Sequence, residues 1–242
     1  REAKGVMAAS AEVHSPLAVT PALERLKELG GDMVDEGGWR VAQSISSADE
    51  EVDRARSAVG LVDESARGKL LIQGVEAEVL VAAAFDLTAP AIERGVALAG
   101  VGGMLYRLRQ DLFLACTPPG GQKIPTGLLE DALRDRFVTV TDITHGRSEF
   151  RLIGPRAATV MSKVCGLDFH PSRFGDGTAR QTSVAKTPQL VVRRDAGGGL
   201  PAYALLGGRP LGRYLWDTLL EAGEELDIAP IGQEAVTRLD GV

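Results

Sequence analysis

Val62-Asp63-Glu64-Ser65 and Thr141-Asp142-Ile143-Thr144 open two stretches that read alike. The first runs through four residues and a mostly apolar segment to Gly74-Val75-Glu76-Ala77. The second runs through five residues and a mostly apolar segment to Gly154-Pro155-Arg156-Ala157. From Asp to Gly is 11 residues in the first copy and 12 in the second. Each copy predicts a strand, a tight glycine turn and a helix. Self-similarity of this kind marks a duplicated unit whose copies, near 60–86 and 139–169, bury their apolar faces against each other.

Around this core, the length of 242 residues suffices for one large domain or two small ones. No linker-like stretch divides the chain, so a single domain over 15–242 behind a loose leader at 1–14 is expected. Ser47-Ala48-Asp49-Glu50 is a capping-box pattern, in which the serine caps an amide and the glutamate reaches back. It predicts a helix to about Ala58, ended by Gly60, with Asp49, Glu50, Glu51 and Asp53 as an acidic first turn favoured by the helix dipole. Ahead of it, Gly30-Gly31 and Gly37-Gly38-Trp39 punctuate an irregular segment.

Within the first copy a strand at Lys69–Gln73 and a helix at Val75–Ala84 are expected. Gly95–Ala99, Met104–Leu108 and Leu112–Cys116 read as short strands. Thr117-Pro118-Pro119-Gly120-Gly121 then breaks the pattern, because proline lacks a donor. A helix from about Gly127 to Arg136 precedes the second copy, whose helix would carry Pro155 in its first turn. After a loop at Asp168–Gly177 come strand candidates at Thr182–Lys186, Leu190–Arg194 and Tyr203–Leu206. The helix Leu211–Ala222 sets Leu215, Trp216, Leu219 and Leu220 at core spacing. Helices recur among more numerous strands without a regular alternation, an α+β pattern.

Bulk numbers exclude several function classes. A net charge of -6 disfavours a non-specific nucleic-acid binder. The longest apolar run, Val79–Phe85, is far too short to cross a membrane, and the first ten residues lack the apolar centre of a secretory signal. Two cysteines, Cys116 and Cys165, make no disulfide framework and point to a cytoplasmic protein with buried thiols. No His/Cys spacing forms a metal site.

Catalytic motifs are scarce. There is no Gly-x-Ser-x-Gly elbow and no phosphate loop. His145, with Asp142 and Ser148 nearby, reads either as part of a Ser/His/Asp site or as a polar turn between strands. Arg193-Arg194-Asp195 reads either as a carboxylate clamp, since arginine offers a bidentate fork, or as a solvated strand end.

Taken in order, Ser15-Pro16-Leu17, Gly38-Trp39, Arg56-Ser57-Ala58-Val59-Gly60-Leu61, Asp63-x-Ser65, Gly68-Lys69-Leu70 and Gly74-x-x-Ala77 resemble the aminomethyltransferase family. That family comprises the glycine cleavage T-protein and its relatives. Tyr106-Arg107-Leu108, Leu152-x-Gly154-Pro155-x-Ala157, Leu215-Trp216-Asp217-x-Leu219-Leu220-Glu221-Ala222-Gly223 and Pro230-x-Gly232-x-x-Ala235 continue the match. The resemblance implies a pseudo-twofold folate-binding domain with a central channel for tetrahydrofolate. Residues Tyr106, His145 and Arg194 would face the cofactor, and a C-terminal barrel would be absent.

The chain also departs from the family. No Asp or Glu lies between Arg94 and Asp111, where active transferases carry an aspartate pair. Leu98 stands for a folate-side tyrosine, and Ala196-Gly197-Gly198-Gly199-Leu200-Pro201 replaces a glutamate-bearing pterin loop. Unpaired pterin edges would cost on the order of 1–3 kcal/mol each. In this form the chain resembles the gamma subunit of heterotetrameric sarcosine oxidase. That implies no catalytic residue of its own and either partner subunits of the flavin oxidase or demethylase type, or a homodimer. Two other readings stay open. One is a stand-alone tetrahydrofolate-dependent transferase using Arg194, His145 or Glu149; the other is a binding protein reusing the channel for another ligand. Of the Lys-Gly-Cys-Tyr-x-Gly-Gln-Glu signature of folate-dependent tRNA-modifying relatives, only Gly232-Gln233-Glu234 is present.

Overall fold

The computed structural model describes residues 17–133 and 136–241. The expected leader at 1–14 lies outside them, as do Ser15, Pro16 and residues 134–135 near the end of the helix expected to reach Arg136.

The N-terminal segment is ordered around a small sheet. Strand β1 (Ala18–Val19) and helix α1 (Leu23–Glu28) lead to β2 (Asp32–Glu36) and β3 (Trp39–Ser44). The sheet order is β1-β3-β2. This corrects the expectation of an irregular segment: Gly37 and Gly38 have φ of 57° and 83°, the paired left-handed conformation of a two-residue hairpin turn. Helix α2 (Ala48–Ser57) begins on the expected capping box, with Glu50 N donating to Ser47 Oγ and Ser47 N to Glu50 Oε2. Glu51, one of the acidic first-turn residues, is buried. Its carboxylate accepts from the backbone amides of Ser46 and Gly232, at 2.8 and 2.7 Å.

The remaining elements repeat. Strands β4 (Val59–Asp63) and β5 (Arg67–Gly74) are followed by α3 (Ala77–Phe85) and by β6 (Arg94–Leu98), β7 (Gly103–Arg109) and β8 (Leu112–Pro119). Helix α4 (Lys123–Ala132) closes the first unit. The second contains β9 (Val138–Asp142), β10 (Arg147–Ile153), α5 (Ala157–Val164), β11 (Ala179–Val184), β12 (Thr187–Arg193), β13 (Ala202–Gly208) and α6 (Gly212–Gly223). Strand β14 (Ile228–Pro230) and α7 (Gln233–Asp240) end the described chain.

Two sheets result, β6-β7-β8-β5-β9 and β11-β12-β13-β10-β4-β14. The first strand of each copy crosses over. β4 pairs with β10 of the second unit and β9 pairs with β5 of the first. The two units are thus stitched together through an exchanged strand, and there is no closed barrel among the described residues. The sheets face each other through Tyr106, Leu114, Cys116, Leu190, Val192, Ala204 and Leu206. Helices α3 and α4 cover the outer face of one sheet, α5 and α6 that of the other.

Three local expectations change. Strand β8 runs on through Pro118 and Pro119: Arg67 pairs with Pro119 and Gly68 with Thr117, so Pro118 is the extra, unpaired residue of a bulge, a place in a strand where a missing amide is tolerated. Pro155 precedes α5 rather than sitting in its first turn. Helix α4 starts four residues earlier than the pattern suggests, at Lys123.

Candidate functional site

The duplication fixes the centre of the molecule. Asp63 Oδ1 accepts from Ser65 N at 2.9 Å, and Asp142 Oδ1 from Thr144 N at 2.8 Å. Each hydroxyl then reaches across to the other unit: Ser65 Oγ accepts from Glu149 N at 3.0 Å, and Thr144 Oγ1 from Lys69 N at 2.9 Å. Short side chains that fold back onto the local backbone are the turn chemistry expected of Asp, Ser and Thr. Here they also lock the start of the core strand in each opposite unit. Asp63 is buried, and burial raises its carboxyl above the usual range, partly offset by hydrogen bonds from Ser65, Thr20 and Ala22.

Alternation along β10 sends Phe150 and Leu152 to the helix-covered face and Glu149 and Arg151 to the opposite one, between the sheets. In β5, Lys69 faces the same space. Lys69 is fully buried, and its Nζ lies 2.7 Å from Arg67 O, 3.3 Å from Ser65 O and 3.0 Å from Glu149 Oε2. Arg67 Nε approaches Glu149 at 3.7 Å. Glu64, in the turn after β4, pairs with Arg194 beyond β12 and lies 3.7 Å from Arg151. Arg151 forks onto Asp240, the last residue of α7, with both contacts at 2.9 Å, and donates to Arg194 O.

The middle of the inter-sheet channel is therefore filled by ion pairs. Burial alone would raise the Glu64 carboxyl, but Arg194, Arg151, Arg67 and Lys69 outweigh it and hold its pKa at about 2. Burial pushes Cys116 up to about 12, and pushes Tyr106 up as well. Both therefore sit as neutral groups against the cluster. Among Arg67, Tyr106, Cys116, Glu149 and Arg194, the space left is about 10 Å³, room for one water and not for a pterin ring. The buried Nε atoms of Arg67 and Arg151 have no hydrogen-bond partner. Beyond the cluster, a cleft of about 500 Å³ opens between β3, the end of β8 and α7, with Glu64, Arg67 and Asp240 on its inner wall.

Of the three residues expected at a cofactor, Tyr106 and Arg194 come together at the cluster and His145 does not. His145 is exposed and stacks on Trp39, with ring centroids 4.8 Å apart and an interplanar angle of 17°. Asp142 is engaged with Thr144, so His145, Asp142 and Ser148 form the polar-turn alternative and no triad. The strand end at Arg193-Arg194-Asp195 is not solvated: Arg193 forks onto Asp195 at 2.9 and 3.0 Å, while Arg194 turns to Glu64. Glu149 is a candidate of the transferase reading, while Lys69, Arg151 and Glu64 carry no functional signal in the sequence. The alternation that aims them inward is visible, but which face of each strand is inner is not. Both cysteines are buried and free. Among the described residues no group of three or more His, Cys, Asp or Glu side chains is placed to hold a metal, and no helix is long and apolar enough to cross a membrane.

The family model of the GCVT N-terminal domain matches residues 22–240, and the chain belongs to that family. It is similar to the sarcosine oxidase subunit alpha of Corynebacterium sp. (strain P-1), 26% identical over 93% of this chain and 26% of that subunit. It is also similar to the aminomethyltransferase of Lysinibacillus sphaericus, 24% identical over 88% of this chain and 60% of the enzyme. The chain thus spans about a quarter of the former relative's length and less than two thirds of the latter's. Among solved structures, the aminomethyltransferase T of the glycine cleavage system from Bartonella henselae shares the fold. It has a TM-score of 0.79 at 20% identity, covering 93% of this chain and 62% of that one. A chain of heterotetrameric sarcosine oxidase from Corynebacterium sp. U-96 matches with a TM-score of 0.63 at 25% identity, covering 75% of this chain and 93% of that one.

Proposed function

We propose that this member of the GCVT N-terminal domain family is a folate-fold subunit of a heteromeric one-carbon oxidase or demethylase. In this reading it carries no reaction of its own. One observation supports it above the others: the space between the duplicated units is filled by Glu64–Arg194 and Glu149–Lys69. A ligand reaching that depth would have to break buried pairs. Removing one partner from such a pair costs about 3–5 kcal/mol, more than the few hydrogen bonds of a pterin edge return at about 0.5–1.5 kcal/mol each.

The absence of acidic residues between Arg94 and Asp111 points the same way. So do the relatives named as subunits of sarcosine oxidase, one of them in a heterotetramer. Their partners suggest the chemistry of the complex: a flavin-type oxidase acting on a methylated or secondary amine. Purification of the native protein from its source tests the proposal. It should elute as a stable complex with a flavoprotein; a lone monomer without flavin in any associated chain would overturn it.

A second reading is favoured by the cleft beside the cluster. At about 500 Å³ it lies within the usual range of small-molecule sites. In that reading the chain is a tetrahydrofolate-dependent aminomethyl- or methyltransferase whose folate sits outside the ion pairs, near Arg67 and Arg194. The two readings part on whether tetrahydrofolate binds.

A further inference from the structure

Between the two sheets, with Lys69 in its lining, lies another cavity of about 150 Å³. Its walls are Leu71, Leu108, Leu114, Ile143, Leu190 and Leu206. Lys69 forms part of the buried floor, and Arg147 stands at the exposed rim. We propose that this cavity is a binding site for a small ring-bearing carboxylate, with the ring among the leucines and the carboxylate on Arg147.

Two independent features carry the assignment. The first is size and polarity. A cavity of about 150 Å³ has the size that accepts a benzene-sized molecule, and its six aliphatic side chains give a ring apolar contact while Gln181, Thr182 and Gln189 add a few polar groups to the lining. The second is charge. In a protein of net charge -6, the lining of this cavity holds two cations, Lys69 and Arg147, and no carboxylate. Lys69 is spent on Glu149 and two carbonyls. Arg147 forms no ion pair with any carboxylate of the described residues. An arginine at the mouth of an apolar pocket, with its fork open, matches a carboxylate in shape as well as in charge. A neutral ring would gain only the walls, and a cationic one would meet repulsion at the rim.

Benzoate, toluene and benzylamine share a ring and differ in charge, so they separate these contributions. Titration calorimetry of the purified full chain at low salt should show benzoate binding at submillimolar to millimolar concentration, with toluene weaker and benzylamine weaker still. Arg147→Gln should weaken benzoate about tenfold, the size of one charge-assisted contact, and leave toluene unchanged. Leu108→Phe should abolish binding of both by filling the cavity, with Leu71→Phe as the second filler should the first fail to fold. Binding of benzoate with equal affinity to the Arg147→Gln protein, equal affinity for benzylamine, binding that survives a folded filler, or no benzoate binding at millimolar concentration would each overturn the proposal.

Discussion

Lys69 and Glu149 occupy the same place in the two copies of the duplicated unit, and they pair with each other at 3.0 Å. Each stands five residues before its turn glycine, Gly74 or Gly154. The carbonyl of each accepts an amide from the residue after the opposite aspartate, Ile143 N to Lys69 O and Glu64 N to Glu149 O, both at 2.9 Å. The backbone surroundings are equivalent while the side chains carry opposite charge. A duplicated scaffold has thereby closed its own axis with an ion pair.

Breaking this pair one side at a time should be costly. Lys69→Met or Glu149→Gln each leaves an uncompensated buried charge and should lower stability by about 3–5 kcal/mol in urea titrations. The double replacement Lys69→Met/Glu149→Met should recover part of the loss, because neither member of the pair then remains to be desolvated, while Arg67 gives up its contact with Glu149. Additive losses in the double variant would show that the two side chains do not depend on each other.

Acid should act through Glu64. Its folded-state pKa is held at about 2, below the ordinary 4.5. The stability this contributes is therefore complete above about 4.5 and lost as pH falls towards 2. Asp63 has the opposite sign: its pKa is raised by burial, so its ionised form opposes folding and protonation relieves that cost. Glu64→Gln should flatten the decline of stability below pH 4.5, and Asp63→Asn should steepen it. Equilibrium unfolding across this pH range measures both slopes, and identical profiles in all three proteins would contradict the assignment.

The turn glycines should be equally intolerant. Gly74 has φ of 154° and a Cβ there would lie 2.1 Å from Phe137 O; Gly154 has φ of 142° and would meet Ala55 O and Ala58 O at 2.4 Å. These obstacles are backbone and cannot swing away. Gly74→Ala and Gly154→Ala should each cost at least about 2 kcal/mol, readable as a fall in melting temperature. A large loss at one and none at the other would mean that the turns are not equivalent.

His145 should matter to stability and to no ligand. His145→Ala removes the stack on Trp39, a loss of about 0.5–1.5 kcal/mol. The affinity of any small molecule bound between the sheets should be unchanged in that variant, as calorimetry on the wild type and variant would show.

How much of this was legible in the sequence depends on the kind of signal. The repeated Asp-to-Gly spacing carried the duplicated architecture, because turn aspartates and turn glycines act locally and leave local marks. The exchange of β4 and β9 between sheets left none, since pairing partners are set by distant chain. The hairpin at Gly37-Gly38 escapes a sequence reading, because its glycine pair looks like mere punctuation after Asp32-Met33-Val34-Asp35-Glu36, which shows no apolar alternation. The ion cluster was the least visible part. Lys69 and Glu149 look like ordinary solvent-facing residues of half-buried strands, and only the second sheet turns their face into an interior. Tyr106 lies in a piece that resembles the family, and Arg194 stands out as a charged residue at a strand end. His145 draws attention through Asp142 and Ser148 nearby in sequence, but Asp142 is engaged with Thr144 and His145 stacks on Trp39.

The central claim is that the channel between the two copies is closed by the chain's own charges. Titration calorimetry of the intact protein with tetrahydrofolate tests it most directly. The account predicts no saturable heat at millimolar ligand, for wild type and for Arg67→Ala alike. Saturable, stoichiometric binding that is lost when Arg67 or Arg194 is replaced would contradict it and establish a folate site beside the Glu64–Arg194 pair.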